Sequence, residues 1–382
     1  MLSIAVMAGN SGSGGLIAYY NGIFSGEALP SDVKVFFYGA PQLIAQCDRL
    51  SPEVTVVESP GLAIRAMDAI RGKKLPHLFV SDIKERHVDL VFFPTGFWYP
   101  GAEQCPNVLA CHNVLLLDKV ELLRNGISKV SLFWWMMRRQ QLISFLHSDG
   151  VIFSSRYSQQ LGLRRAPSTA RNTVVPLGID DSARVSLAPS KPLRDKVNIL
   201  YISSILLYKY HPQVVEAIAR LRQQTGRDLH LTLVGDGEPK AKKILMRTIQ
   251  RWNAEGYVHL LGAVPHGEIN HRIDDADIFL FASACEAFGL ALLEGMGRGS
   301  VIACSDRTGL PDILQDAGVY FDPAQPESIA TALRRLLDDG ELPRVLAARA
   351  LEYSRGFTWR RSAQMTFAFL HTIADGGKNA AR

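Results

Sequence analysis

Apolar, β-rich runs alternate with segments of helical pattern along most of the 382 residues. That alternation predicts a parallel sheet covered by helices. The runs come in two series. The first comprises Ser3–Gly9, Val33–Tyr38, Val54–Glu58, Val88–Phe93, Val108–His112, Val151–Ser155 and Thr173–Pro176. The second comprises Val197–Ser203, Leu229–Gly235, Val258–Val264, Ile278–Ser283, Ser300–Ser305 and Gly318–Asp322. Two doubly wound, Rossmann-like α/β domains follow, with the polar stretch Asp180 to Lys196, containing Pro189 and Pro192, as the expected linker. The expected division is 1–185, then 186–356.

Ligands of open parallel sheets sit outside the carboxyl ends of the strands, so chemistry is expected at strand-to-helix turns. The most informative is Glu286-Ala-Phe-Gly-Leu-Ala-Leu-Leu-Glu294, two carboxylates flanking an Ala-Phe-Gly turn between an apolar run and a helix-favouring one. The amides of Phe288, Gly289 and Leu290 would be unpaired donors at the positive end of a helix, suited to oxyanions or sugar hydroxyls. Glu286 and Glu294 could accept from the vicinal hydroxyls of a ribose or hexose. The alternative is that both are ordinary helix charges, because short motifs give false positives.

Three further turns stand out. Asn10-Ser-Gly-Ser-Gly-Gly15 follows the first run, and Gly12, Gly14 and Gly15 permit close backbone approach to a phosphate or sugar. It is neither a P-loop nor a full dinucleotide fingerprint, since Ile17 stands where the last glycine would be needed. Lys209, in Tyr201-Ile-Ser-Ser-Ile-Leu-Leu-Tyr-Lys209, is placed to reach a phosphate. Val234-Gly235-Asp236-Gly237 is the third turn, where glycines serve a ligand or merely the turn.

Composition narrows the class. Hydrophobic residues make up 47% and charged residues 21%, as in an ordinary globular protein. The net charge of +5 suits phosphates or an acidic membrane surface and is too small to argue for nucleic acid. Five cysteines without a Cys-x-x-Cys spacing suggest neither a disulfide framework nor zinc and point to a reducing cytosol. The N-terminus lacks the basic start of a signal peptide and resembles a first strand. Asp274-Asp275-Ala-Asp277 looks like a metal motif, but it ends a helical stretch, where solvated or capping carboxylates are commoner.

Taken in order, the turns resemble those of the retaining glycosyltransferases of family 4, which have GT-B architecture, two Rossmann-like domains facing across a cleft. The resemblance runs from the first glycine-rich turn through His112-Asn113, Val175-Pro-Leu-Gly178-Ile-Asp180, the Lys209 turn and Val234-Gly-Asp-Gly237 to the two glutamates and Phe357-Thr-Trp359. It implies that Glu294 binds the nucleotide ribose and that Glu286 contacts the donor sugar with the amides of Phe288 to Leu290. Lys209 would hold the diphosphate, Gly235 and Gly237 would lie in the donor site, and His112 would reach the reacting sugar. It implies catalytic Glu286, Lys209 and His112, no metal or cofactor, and a segment 357–382 that crosses back to the first domain, with Trp359, Phe367 and Leu370 packed between domains. This sequence departs from the pattern where Ser203-Ser204 replaces Gly-Arg, removing one phosphate-binding cation. A bacterial polysaccharide subgroup has a similar Ser-rich, Tyr-Lys pattern.

The expectation is a cytoplasmic enzyme that moves a sugar from a UDP- or GDP-sugar to a hydroxyl of a glycan or lipid-linked acceptor in cell-surface polysaccharide biosynthesis. Its rivals are a sugar-nucleotide epimerase of the same architecture and a non-catalytic sugar-nucleotide-binding protein. A peripheral association with the inner face of the membrane is suggested by residues 129–146, which follow one helical period. Leu132, Trp135, Met136, Ile143 and Leu146 would face the core, Phe133, Trp134 and Met137 either the lipid or another element of the first domain, and Arg139 would need an acidic partner or point into the cleft.

Overall fold

The computed structural model describes residues 1–9, 14–58, 75, 77–124, 129–166, 170–186 and 195–380. Two sheets, all parallel, carry the fold. The first contains β1 (Leu2–Gly9), β2 (Val33–Gly39), β3 (Thr55–Glu58), β4 (Leu90–Phe93), β5 (Asn107–Cys111), β6 (Gly150–Phe153) and β7 (Arg171–Val174), in the order β3-β2-β1-β4-β5-β6-β7. The second contains β8 (Lys196–Ile202), β9 (Asp228–Val234), β10 (Val258–Gly262), β11 (Ile278–Phe281), β12 (Ile302–Ser305) and β13 (Val319–Phe321), ordered β10-β9-β8-β11-β12-β13. The central strands β4, β6, β11 and β12 are buried at every position, as expected for strands covered on both faces. In each sheet the order reverses beside the first strand, between β1 and β4 and between β8 and β11. That reversal opens a crevice at the carboxyl edge.

The chain divides into a unit of Met1–Gly178 with Thr358–Arg382 and a unit of Ile179–Phe357. The first junction precedes the one expected from composition, for a physical reason. Ile179 is buried, its amide donates to the Phe357 carbonyl, Val185 N–H donates to Gly297, and the Arg184 guanidinium donates to the carbonyls of Ser354 and Phe357. Residues 179–185 are thus part of the second unit. Residues 187–194 of the expected linker lie outside the described residues.

The terminal helix Trp359–Ala380 completes the first unit. Trp359 packs on Gly22, where a Cβ would have no room, and on the Tyr19 ring, while Phe367 lies edge-on to Phe24. Trp359, Phe367 and Leu370 are therefore buried residues of that unit.

A second correction concerns the helix Lys129–His147. Its faces are the reverse of those expected from the helical period. Leu132, Trp135 and Leu146 are exposed, whereas Met137 and Phe145 are buried, and Phe133 and Trp134 pack partly against the core. The period locates two faces; what lies beneath them decides which is buried. Here the underlying backbone needs hydrogen-bond partners, which Arg138, Gln140, Gln141 and Ser144 supply. Arg139 is exposed and forms no ion pair among the described residues.

Candidate active site

The second unit gathers its candidate residues at the carboxyl edge of β8 and β11. After β8 the chain makes a 3-10 turn, Leu207–Lys209, and enters the helix His211–Thr225 through Tyr210, whose φ of 53° is left-handed. This turn is pinned from three sides. The Tyr201 hydroxyl donates to the Lys209 carbonyl at 2.9 Å, Ala284 N–H donates to Tyr208 at 2.9 Å, and His211 Nε2 meets Ser203 Oγ at 3.1 Å. Burial, and then the positive charge of Lys209, push the His211 imidazole down to about 3, so it is a neutral prop.

Lys209 is 8% exposed, and its ammonium forms an ion pair with Glu286. Burying an ammonium is costly without a partner, and Glu286 provides one from the turn after β11. Glu286 N–H in turn points to Thr308 Oγ1 at 3.4 Å. Thr308 has a φ of 60°, a conformation that a β-branched residue adopts only under strain.

Gly289 begins the helix Leu290–Gly297 with a φ of 94°, and a Cβ there would lie 2.8 Å from Leu310. Glycine is therefore required by both conformation and space. The amides of Phe288, Gly289 and Leu290 have no protein acceptor among the described residues. They form an unfilled donor group at a helix start. Phe288 itself is buried against Phe357.

Glu294 lies one turn into that helix. Its carboxylate forms no hydrogen bond or ion pair among the described residues. Burial, and secondarily the charge of Asp180, raise its pKa to about 7. A half-buried, unpaired acceptor of this kind suits a ligand that donates hydrogen bonds.

Gly235 and Gly237 lie tightly against the backbone of the turn after β8. A Cβ at Gly235 would meet the Ser203 carbonyl at 2.2 Å and one at Gly237 the Ile205 carbonyl at 2.0 Å. Both amides are engaged, Gly235 with the Gly262 carbonyl and Gly237 with the Asp236 carboxylate. What the two glycines secure is the packing of their turn against Ser203–Ile205. Ser204, where the family pattern has arginine, is exposed at that turn. Arg307 is the nearest basic side chain in sequence to Thr308, and it is held by Asp322 and Asp306.

In the first unit, His112 follows β5, and its ring lies 4.5 Å from that of Tyr19. Neither imidazole nitrogen has a partner among the described residues, and burial pushes the ring down to about 4, so His112 is neutral at physiological pH. Gly14 and Gly15 are exposed at the start of the helix Gly14–Ile23, and Gly12 lies outside the described residues. In the Asp274-Asp275-Ala-Asp277 cluster, Asp274 is bound to Arg298, and Asp277 accepts Asn198 N–H at 2.8 Å.

Sequence reasoning missed Thr308 and the propping role of His211. The positive-φ residues Tyr210 and Thr308 carry no glycine to announce the turn, and His211 adjoins Lys209 without belonging to any motif.

Comparison with known proteins places these features in a class. Residues 187–353 match the model of the glycosyl transferases group 1. The whole chain has the GT-B fold. It superposes on HepE from Anabaena in complex with UDP with a TM-score of 0.70 and 18% identity, covering 97% of this chain and 100% of that one. O-antigen chain mannosyltransferase B of Escherichia coli is 31% identical over 123 residues, 32% of each chain. The amylovoran biosynthesis glycosyltransferase AmsK of Erwinia amylovora is 30% identical over 235 residues, 58% of this chain and 56% of that one. The chain thus matches between a third and just over half of the length of these curated relatives.

Proposed function

We propose that the protein is a retaining glycosyltransferase that moves a sugar from a UDP- or GDP-sugar to a hydroxyl of a glycan or lipid-linked acceptor, in polysaccharide biosynthesis at the cytoplasmic face of the membrane. The observation that carries this reading is the cluster of the Lys209–Glu286 pair, the open amides of Phe288 to Leu290 and the unpaired Glu294. A diphosphate needs a cation and amide donors, a ribose needs a carboxylate acceptor, and a hexose needs further polar partners. UDP in HepE and the polysaccharide relatives support the choice of donor and pathway.

In this mechanism the bond between the anomeric carbon and the diphosphate breaks while one to the acceptor oxygen forms on the same face. The acceptor proton passes to the departing phosphate. Lys209 and the amides stabilise the charge that grows on that phosphate, the kind of interaction that lowers a barrier selectively. Glu286 orients Lys209 and the donor sugar, Glu294 holds the ribose, and His112 offers a neutral hydrogen-bonding group. No metal takes part.

The test is a panel of UDP- and GDP-sugars incubated with glycan acceptors, read as nucleotide diphosphate release and by NMR of the product. Transfer with the donor's anomeric configuration, surviving chelator, is expected. Interconversion of free sugar nucleotide without acceptor would establish an epimerase instead, and binding without turnover a non-catalytic protein.

A further inference from the structure

The turn that carries Lys209 is held by side chains to which the sequence pattern assigns no role. Tyr201, near the end of β8, is fully buried, and its hydroxyl donates to the Lys209 carbonyl at 2.9 Å. Its ring stacks on that of His211, with centroids 4.7 Å apart and planes 23° from parallel. His211 is 1% exposed; its Nε2 lies 3.1 Å from Ser203 Oγ, and its Nδ1 has no partner among the described residues. Ser203 in turn hydrogen-bonds the Tyr201 phenol. The three side chains therefore join, end to end, on the backbone of the lysine whose ammonium pairs with Glu286. Ser203 stands where the family pattern has glycine, which offers no hydroxyl to such a chain.

The proton positions follow from counting donors. With its proton on Nδ1, the neutral His211 would bury an N–H that has no acceptor, and Ser203 would give its only proton to Nε2. None would then be left for the bond between Ser203 and Tyr201, whose own proton goes to the Lys209 carbonyl. With the proton on Nε2, every donor is used: Nε2–H gives to Ser203 Oγ, Ser203 to Tyr201 and Tyr201 to Lys209. The Ser204 carbonyl, the other acceptor within reach of Ser203 Oγ, is more distant at 3.4 Å. Bonds that run one way along a buried chain polarise and strengthen one another. We propose that Tyr201, Ser203 and His211 are positioning residues for Lys209, their chain of hydrogen bonds fixing the turn Leu207–Lys209 and with it the place of the ammonium. What that ammonium does rests on the transferase reading above; what holds the turn rests on geometry alone. A cation stabilises growing charge on a leaving diphosphate only if it is already in place, and Ser204 leaves Lys209 without the arginine of the family pattern.

The test uses the full chain and begins without any ligand. Ser203→Ala removes one hydroxyl, and Tyr201→Phe removes the phenol oxygen while keeping the stacked ring. In hydrogen exchange read by mass spectrometry, the amides of residues 206–211 should exchange about fivefold faster or more in either variant, with the rest of the second unit unchanged. Ser203→Thr, which keeps a hydroxyl, should exchange nearly as wild type does. Nitrogen NMR of histidine-labelled protein should show His211 protonated on Nε2. In the transfer assay each single variant should lower kcat about tenfold at nearly constant donor KM, and Ser203→Thr should restore most of it. The double variant should be no slower than either single one, because one break already opens the chain. Unchanged exchange, a proton on Nδ1, faster exchange with unaltered kcat, or losses that multiply in the double variant would each overturn the proposal. If Tyr201→Phe does not fold, Ser203→Ala, at a partly exposed position, decides it through exchange and kcat. A wild-type chain that transfers no sugar would sink the reaction instead, while the exchange and nitrogen spectra still decide whether the chain of hydrogen bonds holds the turn.

Discussion

The two units place different chemistry on the same edge of similar sheets. In the second unit the carboxyl edge is charged: Lys209 paired with Glu286, Glu294 held near neutrality, Arg307 between Asp306 and Asp322. In the first unit the buried ring groups after β5 and on the first helix, His112 and Tyr19, are neutral. His112 has lost its charge to burial, and burial raises the neighbouring Tyr19 phenol far above its ordinary range. The difference follows from what each edge can hold without a ligand. Ion pairs compensate buried charges internally, whereas the two nitrogens of His112 have no hydrogen-bond partner among the described residues. The proposed function puts the anionic leaving group with the first arrangement and the neutral hydroxyl acceptor with the second.

The units also differ in how they are completed, and the largest effect should come from there. The second is one continuous stretch, while the first closes only with the helix that returns after Phe357. Truncation after Gly356 removes Trp359, Phe367 and Leu370, and deleting even one large aromatic from a core typically costs about 3–5 kcal/mol. That approaches the roughly 5–15 kcal/mol that holds a domain together. Calorimetry of the truncated chain should show the first unit's transition lost and the second's retained. An unchanged thermogram would mean the helix is not part of the core.

Next in size is Lys209→Ala. With the ammonium gone, growing charge on the diphosphate loses its main cation, and kcat should fall by about 100- to 1,000-fold with a smaller change in KM. Unaltered kcat in a folded variant would move the charged site elsewhere. Gly289→Ala should give a milder but general loss, because the new Cβ would press on Leu310 and disturb the amides beside Glu286.

Much of this was legible in the chain. The alternation of apolar runs located all the strands of both sheets, and the Glu286–Glu294 motif and Lys209 lie at adjoining turns, as their order implied. What could not be read depends on packing. Whether Leu132 or Met137 faces inward is set by the carbonyls of Gly96, Trp98 and Leu116, which lie far away in sequence. The glycines at 235 and 237 do not announce in sequence that their turn packs against Ser203 and Ile205. Ile179 to Val185 is polar enough to suggest a linker, yet Arg184 fastens it to residues 354 and 357.

Glu294 offers an intermediate effect with a distinctive pH dependence. Its folded pKa of about 7 lies above the ordinary carboxylate value, so the unliganded fold favours the protonated form. That contribution to stability is full below pH ~4.5 and is lost as pH rises through about 7. Ribose hydroxyls that donate to the carboxylate favour the ionised form, so donor should bind more tightly as pH rises across the same range. Glu294→Gln should flatten both curves and weaken donor binding by about tenfold, the worth of a hydrogen bond to a charged acceptor. Titration calorimetry between pH 6 and pH 8 checks this, and an unchanged slope in the variant would assign the ionisation to another group.

The smallest effect is expected at His112, and its value lies in what does not titrate. An imidazole pushed down to about 4 stays neutral from pH 5 upward, so it cannot act by gaining a proton in the working range. His112→Asn keeps a neutral hydrogen-bonding group of similar reach and should lower kcat by only about tenfold, the order of one neutral hydrogen bond. The pH–rate profile of wild type and variant should then have the same shape between pH 5 and pH 8. If the variant instead loses an inflection near pH 6.5, the histidine is charged during turnover. The contrast between a charged and a neutral edge would then fail at its most specific point.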